Sequence, residues 1–198
     1  PAFGPVVADI GIRERVGVVV AAGWRLAAGI AAIVAVAIAP AIVGLALLEV
    51  SREALQRARC LLGARAARVE WIESDITAFE PTRPYRLWHD RAVFHFLTEA
   101  ADRARYADTL RRALSPGGQA VIATFAPNGP RRCSGLEVVR HDAASLRTAL
   151  GDGLELVDER AERHRTPSGG EQKFVYYRLV RRGAACADGL QSTAEESH

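Results

Sequence analysis

The segment Tyr85–Ala126 constrains the fold more than any other part of the sequence. It begins with an apolar stretch, which Trp-His-Asp-Arg at 88–91 interrupts. The apolar spacing over Asp102–Leu114 predicts a helix, which Ser-Pro-Gly-Gly at 115–118 ends. A continuous apolar run follows over Gln119–Ala126, as expected for a parallel strand buried on both faces. The segment therefore predicts part of a doubly wound α/β sheet, in which ligands bind at the carboxyl ends of the strands.

The composition is that of one α/β domain. The 198 residues are enough to bury a hydrophobic core, and the content of charged residues is ordinary for a soluble enzyme. The net charge of +3 comes from arginines scattered among the acids, so we expect no nucleic-acid partner. Cys60, Cys133 and Cys186 lack the spacing of a disulfide scaffold or zinc knuckle, which indicates a cytoplasmic protein without a metal. Since there is no methionine, we expect the chain to begin after a processed or missing amino terminus.

The uncharged run Leu26–Leu48 has two interpretations. It is long enough to span a membrane. Its high alanine content and its interruption by Pro40 and Gly44 favour instead a helix followed by a buried strand over Ile42–Val50. We therefore expect no membrane partner, with an anchor through 26–48 as the alternative.

The end of the sequence predicts an antiparallel pair of strands. A helix capped by Asp142 precedes two strand patterns over Leu154–His164 and Lys173–Arg181. Because only a short loop joins these strands, they must be antiparallel. The polar, small-residue-rich segment 183–198 is expected to be a disordered tail.

Several segments, in this order, resemble the class I S-adenosylmethionine-dependent methyltransferases. They are LLEVSREALQRAR, VEWIESDIT, YRLWHDRAVFHFL, LRRALSPGGQAVIATFAP and HRTPSGGEQKFVYYR. The resemblance covers about residues 46–181 and is strongest to bacterial small methyltransferases of undefined substrate. It implies a Rossmann-like, doubly wound three-layer sandwich over residues 1–182, with a mostly parallel sheet and a C-terminal antiparallel hairpin. S-adenosylmethionine is the cofactor that it implies.

The resemblance also implies a cofactor site at the ends of the strands. Glu49, at the end of the second strand, would bind the ribose hydroxyls, with Val50 beside it. Asp75 would contact the adenine amino group while Ile76 packs on the ring. His89 would face the cofactor from the tip of the fourth strand. The alternative for the carboxylates is pairing with a nearby arginine.

The glycine-rich loop that follows the first strand in this family is degenerate here. The family has a pattern close to Asp/Glu-x-Gly-x-Gly-x-Gly, whereas this chain has VVVAAGWRLAAG over residues 18–29. Gly23 can form the turn, but the acid is absent and Trp24 stands where the cofactor should lie. Residues 1–45 are therefore either a degenerate loop with weakened cofactor binding or a misread frame of a normal gene.

Methyl transfer needs mainly alignment and desolvation of the two reactants, and a base only where the acceptor must lose a proton. His89 is the candidate base, and a structural histidine is the alternative. Asp90 is the candidate for orienting His89 or holding the acceptor, and a helix-capping or surface acid is the alternative.

Three further residues are candidates for binding the acceptor. Arg91 would pair with an anionic acceptor, although a solvated arginine is the favoured interpretation. Cys133 lies in the loop after the fifth strand, where it would contact the acceptor or be a buried bystander thiol. His164 would line the far wall of the pocket, and strand packing explains it equally well. His95 is interpreted as a packed or partner-bonded histidine.

The sequence thus predicts transfer of a methyl group from S-adenosylmethionine to an unidentified small-molecule acceptor. The oligomeric state is left open. Two alternatives from other classes are a catalytically inactive methyltransferase-like binding module and a protein anchored in a membrane through 26–48.

Overall fold

A computed structural model describes residues 15–21, 42–165 and 169–183. Its strands are β1 Arg15–Ala21, β2 Ile42–Glu49, β3 Val69–Glu73, β4 Tyr85–Arg91, β5 Leu114–Phe125, β6 Arg132–Cys133, β7 Leu136–Glu137, β8 Leu154–Arg165 and β9 Glu171–Arg181. Its α-helices are α1 Arg52–Leu62, α2 Ala100–Ala113 and α3 Ala143–Leu150. Short 3-10 helices cover Gly63–Arg68 and Phe94–Phe96.

Seven strands form one mixed sheet in the order β3-β2-β1-β4-β5-β9-β8. Strands β1 to β5 pair in parallel, whereas β9 is antiparallel to both β5 and β8. The α/β class and the C-terminal hairpin predicted from the sequence are therefore confirmed. The strand order reverses between β1 and β4, which is the position where open α/β sheets bind their ligands.

Helices α2 and α3 cover one face of the sheet. Tyr106 of α2 and Leu146 of α3 share a buried core with Trp88 of β4 and Leu48 of β2. Because side chains alternate along a strand, the residues next to Trp88 point to the other face. There, Leu87 belongs to a second core, which is rich in aromatic residues. The members of this second core are Leu87, Ala92, Val121, Ala123, Phe125, Cys133, Phe174 and Tyr176.

Strand β5 begins earlier than the sequence indicates. Helix α2 ends at Ala113, and Leu114 already pairs with Tyr85 at the start of β4. The register then shifts, so that residues 115–118 bulge out of the strand. Gly117 has a φ of 72°, and a Cβ at Gly118 would lie 2.8 Å from a backbone oxygen, so glycine is required at both positions.

In the part of the chain that the structure describes, no helix has the length and apolarity needed to cross a membrane. Of the run Leu26–Leu48, only the portion in β2 is described. All of the predicted tail except Gly183 lies outside the described residues.

A buried hydrogen-bond network ties the end of β4 to α2. The Tyr106 hydroxyl donates to Asp90 Oδ2 at 2.7 Å and accepts from Trp88 Nε1 at 3.0 Å. The Asp90 carboxylate also accepts from the backbone N–H groups of Val93, at 2.8 Å, and Phe94, at 3.1 Å. Asp90 therefore caps the turn after β4 and fixes the direction in which the chain leaves the sheet.

The Tyr106→Phe substitution tests this network. It leaves the buried Trp88 N–H without its acceptor and removes one donor from the buried Asp90 carboxylate. We expect the free energy of unfolding, measured by urea titration, to fall by about 1–3 kcal/mol. Tyr85→Phe is the matched control, because Tyr85 is equally buried but its hydroxyl takes no part in the Asp90 network. An equal loss in both variants would contradict the assignment.

Candidate functional site

The carboxyl ends of the strands bring the predicted cofactor residues to one edge of the sheet. Glu49 ends β2 and lies opposite Glu73, which ends β3. Asp75 follows β3, and His89 lies near the end of β4. Gly23, predicted to turn beside the cofactor, lies outside the described residues, just after the end of β1.

Glu49 is a buried carboxylate at this edge, with 2% of its surface exposed. One carboxylate oxygen accepts the Ser51 backbone N–H at 3.1 Å. The Ser51 hydroxyl in turn caps the first turn of α1, so the β2–α1 turn holds the carboxylate in place. Arg52, a nearby arginine of the kind considered as a partner for Glu49, donates from Nε to the Glu73 carboxylate at 2.9 Å.

The other three predicted adenosine contacts differ in exposure. Val50 is 60% exposed at the end of β2. Asp75 is exposed, and its Oδ1 accepts both the backbone N–H and the hydroxyl of Thr77 at 2.7 Å. Ile76 is buried in the same core as Phe79. A ligand at this edge can reach Val50 and Asp75 directly, whereas protein already covers Ile76; the roles of all three stay predictions.

His89 and Asp90 are neighbours in β4 and so point to opposite faces of the sheet. Asp90 faces α2, and its burial raises its pKa to about 6. Burial of His89, followed by the charge of Arg91, lowers the pKa of His89 to about 4. The Asp90 carboxylate therefore serves the turn after β4, while His89 shares its face with the second core. Their catalytic roles stay predictions.

Arg91 is not a solvated arginine, so the interpretation favoured from the sequence is wrong. Its side chain is 10% exposed, and its guanidinium lies 4.9 Å from the centre of the Phe174 ring. Nε donates to the Tyr176 hydroxyl at 2.9 Å. Nη2 lies 3.7 Å from the Glu162 carboxylate, which is an ion pair beyond hydrogen-bond distance.

Cys133 and His164 lie close to the same aromatic residues. Cys133 is buried in the second core together with Phe174, and burial raises the pKa of its thiol, as expected for an unreactive cysteine. The His164 ring lies 6.4 Å from that of Phe174. Burial and the charge of Arg91 lower the pKa of His164. The structure thus brings the three predicted acceptor-binding residues together.

His95 is the residue whose importance the sequence underestimated. It is fully buried, with its ring 4.9 Å from that of Phe125 and stacked at 6.4 Å on that of Phe174. Neither ring nitrogen has a hydrogen-bond partner among the described residues. Burial, His141 and Arg91 lower the pKa of His95 to about 3. His95 is packed, as predicted. Its position between two phenylalanines in the sequence is the pattern that could have indicated its burial.

His141 is a second buried histidine of this kind, and no pattern in the sequence indicates its burial. Its ring lies 5.1 Å from that of Phe94, and neither nitrogen is hydrogen-bonded to a described residue. Burial lowers its pKa to about 4. The Tyr177 hydroxyl donates to its backbone carbonyl at 2.8 Å, which holds the loop before α3 in place. In the described ranges, no group of three or more His, Cys, Asp or Glu could hold a metal ion.

Comparison with known proteins identifies structures but no sequence family. No family model and no curated protein matches the chain. The N-methyltransferase NodS from Bradyrhizobium japonicum WM9 matches with a TM-score of 0.64 and 19% identity, over 86% of this chain and 88% of NodS.

Two further structures match as well. The 1,6-didemethyltoxoflavin-N1-methyltransferase of Burkholderia thailandensis, with bound 1,6-didemethyltoxoflavin and S-adenosylhomocysteine, matches with a TM-score of 0.65 and 16% identity, over 92% of this chain and 77% of that one. The (4+2)-cyclase SpnF matches with a TM-score of 0.67 and 16% identity, over 90% of this chain and 79% of that one. At these identities the likeness shows the fold alone.

The buried histidines predict that acid destabilises the protein. The folded-state pKa values of His89, His95 and His141 are about 4, 3 and 4, below the ordinary 6.5, so near pH 5 the unfolded chain binds three protons that the folded chain does not. Asp90 acts oppositely, because its pKa rises from 3.8 to about 6 and the folded state holds one extra proton. Three minus one leaves about two protons taken up on unfolding, so the free energy of unfolding falls as pH falls from 7 to 5.

Urea unfolding near pH 5 and near pH 7 measures this difference. The His95→Phe variant should show a pH dependence that is weaker by about one proton, because its side chain no longer titrates. A free energy of unfolding that does not change between the two pH values would mean that the buried histidines are protonated in the folded protein.

Proposed function

Because the chain has the fold of the class I S-adenosylmethionine-dependent methyltransferases, we propose that it transfers a methyl group from S-adenosylmethionine to a small-molecule acceptor. In this proposal the chain up to residue 182 is one doubly wound three-layer sandwich in the cytoplasm, and no nucleic acid takes part. The reaction is a proposal beyond the fold, since SpnF shows that a protein with this fold can be a cyclase.

Glu49 is the observation that carries the proposal. Its carboxylate is buried at the carboxyl end of β2, one strand from the point where the strand order reverses. The backbone N–H of Ser51 orients it. A carboxylate in this position accepts hydrogen bonds from two adjacent hydroxyls, and a ribose presents such a pair.

The neighbouring residues fit the rest of an adenosine group. Val50 offers an exposed apolar surface beside Glu49, and Asp75 offers an exposed acceptor oxygen after β3. Gly23 would form the turn near the methionine part of the cofactor. When bound, S-adenosylmethionine supplies an electrophilic methyl group on its sulfonium, and the chain has to align the acceptor with it and exclude water.

His89 is the proposed proton acceptor for substrates that must lose a proton. Its pKa of about 4 keeps the ring neutral, and therefore able to accept a proton, at neutral pH. The same low pKa makes it a weak base. The proposed site is thus better suited to acceptors whose attacking atom already carries a free electron pair than to those that need a strong base.

Binding of S-adenosylhomocysteine to the whole chain, measured by calorimetry, tests the proposal. We expect micromolar affinity for the unaltered chain. The affinity of the Glu49→Gln variant should be lower by a factor of about ten or more, because charge-assisted hydrogen bonds to the ribose contribute about 1.5–3 kcal/mol each. Glu73→Gln is the matched control: Glu73 lies opposite Glu49 in the register but is exposed and bound to Arg52. Its binding should equal that of the unaltered chain.

Two results would overturn the proposal. The first is absence of binding by the folded, unaltered chain, which would favour the catalytically inactive module as the alternative. The second is an equal loss of binding in the Glu49→Gln and Glu73→Gln variants, which would mean that general charge at the edge, not a ribose contact, supports binding.

A further inference from the structure

The side chains around Phe174 form a second polar group at the carboxyl edge of the sheet. Phe174, in β9, pairs with Phe125 at the end of β5, and Arg91 ends β4. We call this group the Phe174 site. It consists of Arg91, His95, Glu162, His164, Phe174 and Tyr176.

Arg91 brings a buried positive charge that lacks part of its hydrogen bonding. Nε is bonded to the Tyr176 hydroxyl, but Nη2 is buried and has no hydrogen bond to the described residues. Glu162 lies 3.7 Å from Nη2, and its side chain is 28% exposed and so partly hydrated. A buried charged donor without an acceptor is costly, which points to an acceptor atom from outside the described residues.

His95 brings a second buried donor to the same phenylalanine ring. Its ring is stacked on Phe174, and both of its nitrogens lack hydrogen-bond partners among the described residues. The ring is neutral and therefore carries one N–H and one bare nitrogen. The Arg91 guanidinium and the His95 ring, each with a buried nitrogen that lacks a described hydrogen-bond partner, thus lie 4.9 Å and 6.4 Å from the centre of the Phe174 ring.

The site also has an apolar lining and a partly exposed margin. Phe96 and Phe125 lie 4.5 Å and 4.9 Å from the His95 ring. His164 and Glu162 are only partly buried, so the margin at β8 faces solvent. Burial is the main cause of the lowered pKa values of His164 and His95, and the positive charge of Arg91 adds to the lowering of both.

We propose that the Phe174 site binds the carboxylate of a small acid with an apolar body, and that this acid is the methyl acceptor; the second clause rests on the proposed function. The carboxylate takes the place of Glu162 beside Arg91 Nη2 and accepts the His95 N–H with its other oxygen. Two donors match the two oxygens of a carboxylate, whereas a phosphate group needs more. The phenylalanine rings contact the apolar body.

Benzoate and its neutral analogue benzamide are the probes, and ligand-observed NMR titration on the full chain gives the affinities. We expect benzoate to bind about tenfold more tightly than benzamide, as a charge-assisted hydrogen bond predicts. Arg91→Gln should abolish this preference. Arg86→Gln, an exposed arginine on the same strand, should leave it unchanged.

A gain of binding provides a test that does not depend on the folding of Arg91→Gln. Glu162→Gln removes the competing carboxylate. The affinity of this variant for benzoate should therefore be higher than that of the unaltered chain, by a factor of about three or more. Glu159→Gln, an exposed acid on the same strand, should have no such effect. A merely structural role of the Arg91–Glu162 pair predicts no gain.

The inference is overturned if the folded, unaltered chain does not prefer benzoate, if Arg91→Gln retains the preference, or if Glu162→Gln binds benzoate no more tightly. The Glu49→Gln variant separates this inference from the proposed function. Suppose that the unaltered chain does not bind S-adenosylhomocysteine, but that benzoate binds both to it and to Glu49→Gln. The carboxylate site would then stand, and only its role in methyl transfer would be lost.

Discussion

The described structure depends on the buried carboxylate of Asp90 more than on any other polar group. A carboxylate that is fully buried needs donors, and it receives them from the Tyr106 hydroxyl and two backbone N–H groups. These bonds end β4 and start the 3-10 helix that carries His95. Because alternate residues of a strand face opposite sides, fixing Asp90 towards α2 also fixes Arg91 towards the aromatic core. The desolvation cost is visible in the raised pKa of Asp90.

Local patterns were sufficient to predict most elements but not those that depend on partners in the fold. The apolar run of β5 and the pattern of the C-terminal hairpin are properties of the sequence itself, and both are present. The early start of β5 is not such a property, since Leu114 joins the strand by pairing with Tyr85. The 3-10 helix at Phe94–Phe96 is not such a property either, since it begins where the Asp90 carboxylate caps the chain after β4.

The candidate site shows the same division. The positions of Glu49 and Asp75 at the sheet edge follow from where their strands end, so a sequence pattern could predict them. The environment of Arg91 could not be predicted, because its hydrogen-bond partner Tyr176 lies 85 residues away in the sequence. That contact is set by the pairing of β5 with β9, and no local composition distinguishes this arginine from the solvated ones.

The strand order of the sheet sets the distance between the proposed cofactor site at Glu49 and the proposed acceptor site at Arg91. Glu49 ends β2 and Arg91 ends β4, with only β1 between these strands. Adjacent strands lie about 4.8 Å apart, so the two ends are on the order of 10 Å apart, about the length of a nucleoside. His89 shares a face with Arg91, about 7 Å back along β4. In the proposed reaction, a cofactor ribose at Glu49 and an acid at Arg91 would therefore meet near the end of β1, and the buried, neutral His89 lies on the face of the second core.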